Sequence, residues 1–180
     1  MNGQQLGLTL IELMVTLAVA IILLAIGIPA FQGMEANNRA VALANGIVSA
    51  VTLARTEAMA RGVPVAVCPN KSAEGVAPEC GGTGDWVNGW IVFADPSGSG
   101  TVPAVADTIR TFSRPRGIPK VDTATTMLRF GTEGYQRPRA GSPAVISMLV
   151  YQTNSTAGQK RCVTVNVVGA PRTVRKDTCP

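Results

Sequence analysis

The chain contains no histidine, which removes the commonest general base and the commonest zinc ligand together. Neither a Ser-x-x-Lys nor a Gly-x-Ser-x-Gly stretch occurs, so no serine has an activating partner of a familiar kind. The four cysteines, at 68, 80, 162 and 179, include no Cys-x-x-Cys pair, which sets aside zinc ribbons and thioredoxin-like redox chemistry. Aromatic residues make up 4% of the chain, and none are interleaved with the C-terminal cations to stack on nucleic-acid bases. Gly81-Gly82-Thr83-Gly84 lacks the following Gly-Lys-Ser/Thr of a phosphate loop and reads as a flexible connection. Asp95-Pro96-Ser97-Gly98-Ser99-Gly100 offers a single carboxylate where a calcium loop alternates several, so turn chemistry accounts for it. Asp85 and Asp95 flank a strand and read as turn residues rather than a catalytic carboxylate pair. The sequence points to no enzyme, no cofactor and no metal.

What is present is one long apolar run. Leu8 to Ile28 is 21 residues with Glu12 as its only charge. As a helix at about 1.5 Å per residue it reaches roughly 30 Å, the thickness of a bilayer's hydrocarbon core. A secretory signal is excluded, because the run is too long and no small-residue cleavage site follows it. A carboxylate at membrane depth costs several kcal/mol unless neutralised or paired, which makes Glu12 a functional candidate; composition alone reads equally as a single-pass anchor with a stray Glu near its outer end. Beyond Pro29, Val41, Ala44, Ile47, Val48, Val51, Ala54 and Ala58 recur in steps of three and four, the stripe of a helix with one buried face. Gly46 weakens it by about 1 kcal/mol relative to Ala. Gly62 and Pro64 end it, with Arg61 near its negative pole.

The remainder reads as β. Short apolar runs at Val63–Val67, Trp90–Phe93, Thr108–Phe112, Met127–Phe130, Ala144–Tyr151 and Cys162–Val168 are bounded by turn residues. Loops are expected over 69–85, 96–105, 114–125 and 152–160. Trp86 and Trp90, four apart, read as core cover rather than a ligand platform. The fold class is α+β: a long N-terminal helix packed on a C-terminal antiparallel β-rich head. An even number of cysteines behind a membrane anchor implies disulfides in an oxidising compartment such as a bacterial periplasm. Three connectivities are open; Cys68–Cys80 with Cys162–Cys179 is favoured because each closes a short loop, worth about 3 kcal/mol.

Charge is unevenly spread. Residues 1–100 hold four Lys/Arg against seven Asp/Glu, a balance of −3, and residues 101–180 hold twelve against four, a balance of +8. Arg137, Arg139, Lys160, Arg161, Arg172, Arg175 and Lys176 lie in the last third. Such a cluster suits phosphate, as in nucleic acid, or else anionic headgroups or acidic neighbours.

Gly7-Leu8-Thr9-Leu10-Ile11-Glu12-Leu13 with Pro29 in register resembles the N-terminus of type IV pilins and type II secretion pseudopilins. That resemblance implies a leader, 1–7, cut after Gly7 by a prepilin peptidase, and methylation of Leu8. It further implies an assembly carboxylate at Glu12 and a helix kink at Pro29. Two departures stand out: Leu8 replaces the usual Phe, and Met1–Leu6 has no Lys or Arg. Further on, Arg55-Thr56-Glu57-Ala58 and Trp86-Val87-Asn88-Gly89-Trp90-Ile91-Val92-Phe93-Ala94-Asp95 resemble the GspH/FimT branch. The expected organisation is then a leader, a transmembrane and assembly segment at 8–28, an amphipathic continuation at 29–61 and a periplasmic head at 62–180. The expected place is the bacterial inner membrane, single-pass, with assembly into a pilus or pseudopilus beside other pilin subunits. DNA is an alternative partner, since FimT-like members bind it through a C-terminal Gly-Arg-x-Arg motif. This chain instead has Gly169-Ala170-Pro171-Arg172-Thr173-Val174-Arg175, followed by Lys176. On a strand, Arg172 and Arg175 would take opposite faces.

Overall fold

A computed structural model describes residues 9–72, 76–100, 107–138 and 144–179. The chain divides into two units, Met1–Glu35 and Ala36–Pro180. Helix α1 (Leu10–Arg61) begins in the first and ends in the second, with Pro29 inside it. A proline there leaves the Ala25 carbonyl without its intrahelical donor. The expected stripe in the second unit is largely confirmed: Ala44, Ile47, Val51, Ala54 and Ala58 are buried, joined by Ala40, Leu43 and Ala50, while Val41 and Val48 are half-buried.

Eight strands follow: β1 (Val65–Pro69), β2 (Trp90–Ala94), β3 (Thr108–Phe112), β4 (Pro119–Asp122), β5 (Leu128–Phe130), β6 (Ile146–Gln152), β7 (Arg161–Val165) and β8 (Pro171–Arg175). They form two four-stranded antiparallel sheets, ordered β3-β2-β1-β5 and β4-β6-β7-β8. Alternate residues of both sheets, among them Val65, Val67, Val92, Phe130, Met148, Val150 and Val163, share one core with the helix stripe. The far face of the first sheet is also buried, through Ala66, Cys68, Ile91 and Phe93. Hence β1 and β2 are apolar at every position rather than alternating.

Several expectations are corrected. β1 starts and ends two residues later than the apolar run suggested, and β7 stops at Val165 because Asn166–Gly169 turns: the Gly169 N–H donates to Asn166 O at 2.8 Å. The stretch 114–125, expected as loop, contains β4, and β8 is an added strand at the end of the second sheet. Gly81–Gly84 is not a free connection. The Gly82 N–H donates to Asp85 Oδ2 at 2.7 Å and opens a 3-10 helix over Thr83–Asn88. That helix seats Trp86, fully buried, whose Nε1–H donates to Thr125 O at 2.8 Å. The two tryptophans pack at 6.5 Å between ring centroids, and Trp90 stacks on Phe112 at 5.7 Å. The sulfurs of Cys68 and Cys80 bond at 2.00 Å, and those of Cys162 and Cys179 at 2.02 Å. These are the two short-loop pairings.

Candidate functional site

Gly7 and Leu8, the expected cleavage and methylation positions, lie outside the described residues, as does Arg139. The chain is described from Thr9, and Thr9 caps α1. Its Oγ1 accepts from the Glu12 N–H at 3.3 Å, and its carbonyl accepts from the Leu13 N–H at 3.2 Å. Thr9-x-x-Glu12 has the spacing of a capping box. Glu12 therefore occupies the first turn, where the positive end of the helix dipole favours a carboxylate. Around it, apart from Thr16, whose hydroxyl donates to the Leu13 carbonyl at 2.9 Å, the helix offers exposed apolar side chains, from Leu10 at 78% to Ile28 at 53%. Its most apolar window has a mean hydropathy of 2.7 and no buried residue. An exposed surface of that kind needs lipid or other apolar helices around it.

At the other end of the chain, β8 does not bring its arginines together. In register, Arg172 stands opposite Thr164 and Arg175 opposite Arg161, so the two project to opposite faces. The Arg175 Nε–H donates to the Gly158 carbonyl, whose own N–H donates to Asp177 Oδ1 at 2.7 Å. Lys176 follows β8 and is exposed. Arg137, which the charge count grouped with these, is paired with Glu133 at 3.0 Å. The backbone around Glu133, and then Arg137, hold its carboxyl below the usual range.

The calcium-like loop carries its own cation. Arg129 Nη2–H donates to Asp95 Oδ2 at 2.5 Å and to the Gly98 carbonyl at 2.5 Å, so a guanidinium occupies the centre of the turn. Nothing in the sequence near Asp95 announced a partner 34 residues away. Asp85 is likewise structural, as the first-turn acceptor of the 3-10 helix.

The model of a protein family described as type II transport protein GspH matches residues 43–169 of this chain. The chain belongs to the GspH family. Crystal structures of a type IV minor pilin, FimU of Pseudomonas aeruginosa, share the fold. One covers 79% of this chain and 93% of its own, with a TM-score of 0.59; a second crystal form covers 77% and 95%, with a TM-score of 0.54. Both are 18% identical to this chain. No curated protein sequence matches it. The GspH family is one of structural pilin-type subunits, and membership implies assembly with other pilins. The helix is long and apolar enough to cross a membrane, and the chain shares the α+β pilin architecture of FimU.

Proposed function

We propose that the protein is a minor pilin or pseudopilin. It waits in the inner membrane with residues 8–28 spanning and the head in the periplasm, then enters a pilus tip or secretion pseudopilus. A prepilin peptidase would first cut after Gly7 and methylate Leu8. The observation that carries the reading is Glu12, a carboxylate in the first turn of α1 and the only charge in its exposed stretch from Leu10 to Ile28. On leaving lipid for a bundle of sister helices, the apolar side chains exchange one oily environment for another. Pairing Glu12 with a neighbour's new amine removes an uncompensated charge from a low-dielectric site, and this decides docking. Pro29 adapts the helix between its two environments.

The test is Glu12→Ala, scored for membrane insertion and for incorporation into filaments. Insertion without incorporation is expected, and normal incorporation would refute the role. Mass spectrometry of the mature chain should find Leu8 as the first residue.

The family match favours the support of assembly and secretion over DNA uptake. For DNA stands the balance of +8 in residues 101–180. Against it stands β8, which separates Arg172 from Arg175. A mobility shift over a salt series with Arg172→Ala/Arg175→Ala separates the readings: if DNA binds through these arginines, a salt-sensitive shift disappears in the double variant.

A further inference from the structure

The unassigned feature of the head is one end of its second sheet. Lys120 on β4 is the register partner of Tyr151 on β6, and Val150 that of Arg161 on β7. The next step sets Lys160 beside Tyr151, and Lys160 Nζ lies 4.6 Å from the centre of the Tyr151 ring. Arg161 stands opposite Arg175 at the end of the ladder, and the same register carried one residue further would set Lys176 beside Lys160. The result is a row of Lys120, Tyr151, Lys160 and Lys176 across four strands, with Arg161 and Arg175 behind it on the other face.

Like charges facing each other on neighbouring strands are unfavourable. Burial and the charge of Arg175 both push the Arg161 guanidinium down from its usual value. Yet no carboxylate forms a salt bridge with any of these cations among the described residues, whereas Arg61, Lys71, Arg129 and Arg137 each have one. Of the acids nearby, Asp122 raises the Tyr151 phenol from its ordinary value, and Asp177 accepts from the Gly158 N–H. Ile118, two residues before Lys120, is 61% exposed.

We infer that this end of the head is a docking surface for an anionic lipid bilayer. Its location selects that occupant. Arg161 Nη2–H donates to Asn37 Oδ1 at 2.7 Å, and Asn37 is among the first residues of the head unit, nine positions after Ile28. Nine residues reach at most roughly 32 Å when extended and about 14 Å as a helix. That chain length caps how far Asn37, and Arg161 bonded to it, can lie from the end of the span, whatever the orientation of the head. Exposed Ile118 beside Lys120 repeats the mixture of apolar and cationic side chains found on membrane-surface segments. Nucleic acid is less well served, because Lys160 already covers a face of the tyrosine on which a base would stack. The bond to the headgroups would hold the head against the membrane until filament contacts replace it. The proposal rests on the reading of 8–28 as a membrane anchor.

The test uses the full chain in nanodiscs of phosphatidylcholine alone, or with one-third phosphatidylglycerol, and reads amide hydrogen exchange in 114–122 and 158–177. Slower exchange on anionic discs, abolished by half-molar salt, is expected. It should weaken about fivefold per cation in Lys120→Gln and Lys176→Gln. Unchanged exchange in β1 reports that these variants remain folded. Insertion with equal exchange on both discs would overturn the lipid surface and leave the anchor standing. Protection by DNA on neutral discs, without protection by phosphatidylglycerol, would reassign the surface to nucleic acid. Failure to insert would overturn the anchor and the docking surface together.

Discussion

Arg129 Nη2 stands 2.5 Å from Asp95 Oδ2, and the Asp95 side chain is wholly shielded from solvent. The Gly100 N–H donates to the same oxygen at 3.2 Å, and Arg129 also holds the Gly98 carbonyl. One ion pair thus ties the end of β2, the turn after it and β5, on the other side of β1.

Removing only the arginine leaves a buried carboxylate without a counter-charge. That costs about 3–5 kcal/mol in dry sites, and because Arg129 is 24% exposed we expect about 2–4 kcal/mol for Arg129→Met. Adding Asp95→Asn to that variant should recover part of the loss. Urea unfolding followed by the fluorescence of Trp86 and Trp90 measures both. Strictly additive losses would mean that the pair is not coupled.

Gly46 looks in the sequence like a defect in a good helix. In the structure a Cβ at that position would lie 3.0 Å from Trp90 Cζ2, so the glycine gives the indole its seat. Gly46→Ala should change stability little, since a helix gain of about 1 kcal/mol is set against a crowded ring. Gly46→Leu should lose about 1–3 kcal/mol through overpacking. The same unfolding curves decide it, and a neutral Gly46→Leu would show that Trp90 has room to move.

The bond between Cys162 and Cys179 fastens the segment after β8 to the start of β7 across a separation of 17 residues. Cys162→Ala/Cys179→Ala should therefore lower stability by about 3 kcal/mol. It should also speed exchange in β8, while β1 and β2, held by a buried core on both faces, keep theirs. Equal acceleration in β1 would show that the bond supports the whole head rather than its edge.

What the sequence revealed and what it hid follow one physical division. The helix stripe, the tryptophan core and the strands that face the core were legible because burial imposes either a period or, as in β1 and β2, an unbroken apolar run on the residues themselves. β4 and β8 were not. Pro119-Lys120-Val121-Asp122 and Pro171-Arg172-Thr173-Val174-Arg175 are edge strands. Proline and charge are what edges carry to prevent further pairing, so they resemble loops when read alone. Short-range disulfides could be inferred from loop length. Arg129 with Asp95, and Arg161 with Asn37 across 124 positions, depend on strand order, which no local pattern encodes. The lysine row was hidden for the same reason: its members come from four separate strands or their ends.

Tyr151 gives a readout of that row without any ligand. Burial first, then its hydrogen bond to Asp122 and the nearby carboxylate charge, raise the phenol above its ordinary value of 10.0. A group whose value rises on folding contributes its stability in full below the unfolded value, and loses it as the pH climbs through the folded one. The head should therefore keep this contribution at neutral pH and begin to lose it only above about pH 10. Phenolate absorbance should show a late transition that disappears in Tyr151→Phe. In Asp122→Asn the same transition should move to lower pH, because both the bond to an ionised acceptor and its charge are gone. A transition that stays in place in Asp122→Asn would assign the shift to burial alone and detach Asp122 from the row.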